Sequence, residues 1–182
     1  MSRNSLIENK DQYVQIGRLF EKLSDTHMHA FDGYYLSGLS NTTQIKCAMM
    51  GLRQVSDKPI ICVVKCDSDG RFNNAESIYN AVQTISEFGG QVAGFSTDSD
   101  CDSAAMLTKR VKAASDLPVI VEFNVQRSED GKFCEPYAEP DSMKDAAIKT
   151  CNAGATFMRA AGRPKPSYTS VLSVCAGLFE GR

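Results

Sequence analysis

The chain is poor in the residues that mark irregular or unfolded protein. Thirteen glycines and six prolines in 182 residues exclude collagen-like repeats, low complexity and disorder. It has no excess of positive charge: the net charge is -2 and the pI about 5.7, so no basic footprint for nucleic acid or acidic lipid is present. Long apolar runs are absent too. The longest, such as Ile60–Val64, are far too short to span a bilayer, and the opening MSRNSLIENKDQ has no apolar signal core. These absences lead us to expect a cytoplasmic chain forming one domain over residues 1–182. Seven cysteines, an odd number with no CxxC pair, are expected as reduced thiols. Cys47, Cys151 and Cys175 fall on apolar helix stripes, where a thiol serves as a small hydrophobe.

What is present is a regular alternation of two hydrophobic periods. Helical spacing predicts helices over Asp11–Leu23, from an Asn41 cap through Ile45 to Val55, and over Asn74–Phe88, Asp102–Ala114, Asp141–Asn152 and Ser167–Leu178. Between them, short apolar runs predict strands over Gly33–Leu39, Ile60–Val64, Val92–Ser96, Val119–Phe123 and Ala155–Arg159. QVSDKPIICVV and AASDLPVIVEF echo each other, as one repeated unit would. Strands apolar throughout belong to a parallel sheet covered on both faces, so the class is α/β, an open doubly wound sheet or part of a barrel. No GxGxxG or GxxxxGK[ST] follows any strand, so a nucleotide-binding reading has no anchor.

Local motifs give little chemistry. In Asp25-Thr26-His27-Met28-His29 two histidines at i and i+2 could share a metal on a strand end, the basis of a metal-dependent hydrolase reading. They are the only histidines in the chain, however, and a helix precedes them. Asp98-Ser99-Asp100-Cys101-Asp102 opens like a calcium loop but has Ser103 where glycine is needed and Lys109 where the loop requires glutamate; Asp102 as a helix N-cap explains the cluster. Cys62 and Cys66 lack the second pair or histidine of a zinc site.

The long-range order of features is more telling. FDGYYLSGLSNTTQIKCAMMGLRQVSDKPIICVVKCDSDGR is followed by GGQVAGFSTD, DLPVIVEFN, a DGKF–Tyr137 loop and NAGATFMRAAGRPKP. Over residues 10–182 this order resembles the C-terminal five β/α units of the homocysteine S-methyltransferase family, zinc-dependent (β/α)8 barrels. Asp32, Gly70-Arg71, Gly94, Pro118, Asn124, Gly154 and Gly162 match the family's scaffold positions. The resemblance implies a partial TIM-barrel-like fold of about five parallel strands, without the family's first three. It also implies which side chains have changed. The positions of the three zinc thiolates are Thr97, Ala160 and Ala161, and the substrate-holding Glu corresponds to Ser37. Thr and Ala supply no thiolate to lower the pKa of a substrate sulfur on zinc, so zinc is not expected and no other cofactor is implied.

Three expectations follow for function. The carboxyl ends of the strands form the mouth of such a fold, and the polar residues there are Ser37, Asp67, Arg71, Ser96, Thr97, Glu122, Asn124, Arg159 and Arg163. Arg159 and Arg163 could hold a small carboxylate or phosphate, or pair with Asp98 or Glu122. The protein would then be a homocysteine S-methyltransferase-like binder that has lost zinc-dependent thiol methylation, or a subunit completing a barrel. Alternatively, it is a methyltransferase active only with a partner subunit or corrinoid protein. Unpaired sheet edges would be met by helices and loops capping an open sheet, by self-association, or by a partner chain supplying the missing strands.

Overall fold

A computed structural model describes residues 10–27 and 31–179. The elements run α1 (Lys10–His27), β1 (Tyr34–Leu39), α2 (Thr42–Val55), β2 (Ile60–Lys65), α3 (Ile78–Glu87) and β3 (Val92–Thr97). They continue with α4 (Cys101–Ala114), β4 (Val119–Val125), α5 (Pro140–Asn152), β5 (Phe157–Gly162) and α6 (Pro166–Gly177). The sheet order is β1-β2-β3-β4-β5, with every neighbouring pair parallel. A doubly wound sheet reverses its strand order at a switch point; this one never does. The alternative left open by the sequence is thereby decided. The sheet is curled, a partial TIM-barrel-like half-barrel with all its crossover helices on the convex side.

The β/α crossovers fix which side chains form the core. Ile60, Cys62 and Val64 on β2, Ala93 and Phe95 on β3, and Val119, Val121, Phe123 and Val125 on β4 are buried against Ile45, Met49, Ile85, Leu107 and Met143 of the helices. Successive strand residues point to opposite faces, so Ile61, Val63, Val92 and Ile120 form a second, smaller cluster on the concave side. Gly94 of β3 has no room for a side chain beside β4: a Cβ there would sit 1.8 Å from the Ile120 carbonyl oxygen.

Two expectations about helix starts need correction. The helix predicted from Asn74 begins at Ile78, capped by the Ser77 side chain. The intervening residues are committed to a small hairpin, in which Arg71 bridges Ser77 and Ala75 takes a left-handed φ of 64°. The N-cap of α4 is Asp100 rather than Asp102; its carboxylate accepts from the amides of Asp102 and Ser103. Asp102 instead pairs with Lys149 on α5 at 2.6 Å. The Asn41 cap of α2 is present, accepting from the Gln44 amide at 2.8 Å.

Candidate functional site

Register places one row of polar side chains across the concave face. Lys65 of β2 is opposite Ser96 of β3, Ser96 opposite Glu122 of β4, and Glu122 opposite Arg159 of β5. Glu122 is only 5% exposed, and a carboxylate so buried needs partners. One is Arg159, whose Nη1 lies 3.3 Å from Oε2. The other comes from the far side of the sheet: the Tyr35 hydroxyl of β1 donates to the same oxygen at 2.5 Å. The Arg159 guanidinium also lies over the Tyr35 ring, 4.8 Å from its centroid.

These contacts make the electrostatics of the cluster definite. Burial, reinforced by the hydrogen bond to Glu122, pushes the Tyr35 hydroxyl up to about 12. Tyr35 is therefore a neutral donor at physiological pH. The hydrogen bond with Tyr35 raises the Arg159 guanidinium above its ordinary value, with a smaller contribution from the charge of Glu122. Half of the Arg159 side chain, 51%, is exposed. A guanidinium has five N–H donors, so Glu122 and Tyr35 orient Arg159 and leave donors available to an anion in the concavity.

The remaining mouth residues divide into those that join this face and those that do not. Ser37, Ser96 and Asn124 share the concave side by alternation and register. Asp67 is occupied by its own loop, its Oδ1 accepting from the amides of Asp69 and Arg71. Arg71 lies with Tyr79 of α3 and Arg110 of α4 along a groove of about 430 Å³, away from Glu122. Thr97 is buried and its hydroxyl accepts from the Ser99 amide. Arg163 follows β5; its backbone amide donates to Val125 and its carbonyl accepts from Arg127. Asp98 accepts from Gln126, not from an arginine. Of the two arginines, only Arg159 forms the ion pair with Glu122.

The rim is built from two loops of the same design. After β2, Asp67–Phe72 folds back so that the Asp67 amide donates to Arg71 and the Gly70 amide to Asp67. After β4, the Ser128 amide donates to Lys132 and the Gly131 amide to Ser128, and Arg127 bridges Phe133. Gly70 and Gly131 share a positive φ, 72° and 80°. SDGRF and EDGKF carry this second echo, which sequence reading overlooked. It also passed over Tyr35 and Lys65, although Tyr35 lies two positions before Ser37 and so on the same strand face.

Among the described residues, no group of three His, Cys, Asp or Glu converges as a metal set. Thr97, Ala160 and Ala161 present no thiol, and no disulfide joins any two of the seven cysteines. Burial pushes the Cys62 and Cys66 thiols up to about 12, the opposite of what a metal-binding thiolate requires. Asp25, Thr26 and His27 lie at the end of helix α1, not on a strand end, while Met28 and His29 are outside the described residues. Among the described residues, no helix is long and apolar enough to cross a membrane.

With this geometry in place, the likeness to solved structures is specific at the level of fold. The apo form of the homocysteine methyltransferase MmuM from Escherichia coli superposes with a TM-score of 0.65 at 13% identity, covering 87% of this chain and 57% of that one. Its metallated form gives 0.67 at 13% identity, with 87% and 51% covered. The carboxyl transferase domain of Rhizobium etli pyruvate carboxylase with 3-bromopyruvate gives 0.60 at 11% identity, with 87% and 27% covered. No family model matches the chain, and no curated protein matches it in sequence. The chain spans about half the length of the methyltransferase structures it resembles. The shared property is a TIM-barrel-like fold.

Proposed function

We propose that this chain is a homocysteine S-methyltransferase-like protein whose concave face binds a small anion without a zinc–thiolate centre. The observation that carries the reading is Arg159, a half-exposed cation on the edge strand β5 that Glu122 and Tyr35 orient over the concave face. Lys65 adds positive charge in the same row, and Ser96 and Asn124 offer neutral donors beside it. A carboxylate or phosphate matches the planar donor array of the guanidinium. Thiol methylation would require a soft-ligand metal site, and Thr97, Ala160 and Ala161 cannot provide one.

Calorimetric titration with succinate, homocysteine and inorganic phosphate tests this reading. At least one should bind with 1:1 stoichiometry, and Arg159→Gln should weaken it about tenfold or more, the loss of one charge-assisted pair. No binding of any of the three, or binding indifferent to Arg159, would remove the proposal. A second reading, methyl transfer only alongside a partner subunit or corrinoid protein, is favoured by the open half-barrel. It predicts no methionine from homocysteine with the isolated chain and turnover once the partner is added.

A further inference from the structure

We propose that the open edges β1 and β5 form a docking surface for a βαβαβ polypeptide: three parallel strands and two helices from outside these 182 residues. The curvature of the sheet sets that number. In a flat sheet, four inter-strand steps would put β1 and β5 about 19 Å apart, with no contact between side chains pointing the same way. Here Arg159 of β5 lies 4.8 Å from the Tyr35 ring centroid of β1, and Tyr35 reaches Glu122 of β4 at 2.5 Å. Strands four steps apart face each other across the axis in a ring of eight. Five strands are present, so three close the ring. A second copy would bring five and force a wider ring of ten, drawing Arg159 away from Tyr35.

The helices flanking the gap are dressed for neighbours. From Pro166 to Phe179 the chain carries no charged residue. α6 buries Tyr168, Leu172 and Cys175 on one side, yet Val174 and Leu178 on its outer side are 66% and 60% exposed. Apart from these two the outer side carries the hydroxyls of Thr169, Ser170 and Ser173, and no charge. Between α6 and the β5 edge runs a groove of about 790 Å³ lined by Met158, Ala160, Leu172 and Ala176. Across the gap, α1 exposes Leu19 and Leu23, 56% and 52%, one helical turn apart. Neither edge strand is protected by an outward charge or proline: YYLSGL has none, and the single charge of FMRAAG is Arg159, which faces the concavity. This proposal does not depend on the identity of the anion.

The test fuses, ahead of Met1, the part of the Escherichia coli methyltransferase MmuM that this chain leaves uncovered, and follows amide exchange by mass spectrometry. Docking should slow exchange of Tyr34–Leu39 and Phe157–Gly162 by about tenfold or more relative to the free chain. Val174→Lys with Leu178→Lys should leave the melting temperature of the free chain unchanged while reducing the new protection at β5. Equal exchange in the fusion and the free chain would overturn the proposal. So would a free chain that light scattering finds dimeric with both edges already protected, because the second copy would then be the occupant.

Discussion

The two faces of the curled sheet are made of the same strands and do opposite jobs. The convex face is finished: aliphatic and aromatic side chains from three central strands lock into the helices with essentially no exposure. The concave face has only a small apolar cluster around Val63, Val92 and Ile120, with an ion pair and a tyrosine hydroxyl above it. Most of the stability therefore belongs to one side, and the anion binding proposed above to the other. Alternation along a strand keeps the two independent, because neighbouring residues never share a face.

The sharpest test of that division is at adjacent residues of β4. Phe123 is fully buried on the convex side, with its ring 5.5 Å from that of Tyr137; Phe123→Ala should cost about 3–5 kcal/mol in urea unfolding. On the concave side, the two halves of the ion pair should differ in cost. Arg159→Leu strands a buried carboxylate and should cost about 2–3 kcal/mol. Glu122→Leu leaves a half-exposed cation that can turn to water and should cost about 1 kcal/mol. Equal losses would mean that Glu122 is better solvated than its 5% exposure implies.

Smaller effects separate capping from surface pairing. Asp100→Ala removes the cap of α4 and should cost about 1 kcal/mol. Asp102→Ala loses only an exposed pair with Lys149 and should cost about 0.5 kcal/mol or less. Ultraviolet titration completes the series. The Tyr35 pKa is raised from 10.0 to about 12 in the folded protein. Its contribution to stability is thus fully present below pH 10 and disappears as pH rises through 12. Burial raises the Tyr137 and Tyr168 hydroxyls as well, so Tyr35→Phe should remove one late-ionising tyrosine and leave those two; an unchanged late amplitude in the variant would count against the Tyr35 assignment.

The fold was legible because the central parallel strands, buried along most of their length, announce themselves as unbroken apolar runs. IICVV and VIVEF required no tertiary information. Barrel-like order was accessible only through the sequence of features, since strand spacing is the same in a sheet and a ring. The site was harder to see. Glu122 and Arg159 were identifiable as polar interruptions at strand ends, but Tyr35 reads as an ordinary strand aromatic until curvature brings it to strands three and four steps away. Hairpins misled the reading twice. Asn74–Ser77 has helix-compatible residues yet is consumed by backbone pairing around Ala75, and Asp67 and Arg71 look like mouth residues until their turn is closed. Thr97 was placed in the mouth by resemblance and faces the helices instead.

The two tyrosines near the end of the chain have a mechanical consequence. Tyr168 of α6 donates its hydroxyl to the carbonyls of Tyr137 and Ala138, while the Tyr137 hydroxyl donates to Ser99 at the start of the α4 turn. The terminal helix is thereby moored to the lip above the third and fourth strands. The two fastenings act in series, so it swings outward like a loose stave only when one of them lets go. The break in the wall thus keeps a firm jamb on that side, and whatever fills it meets a surface already set in place.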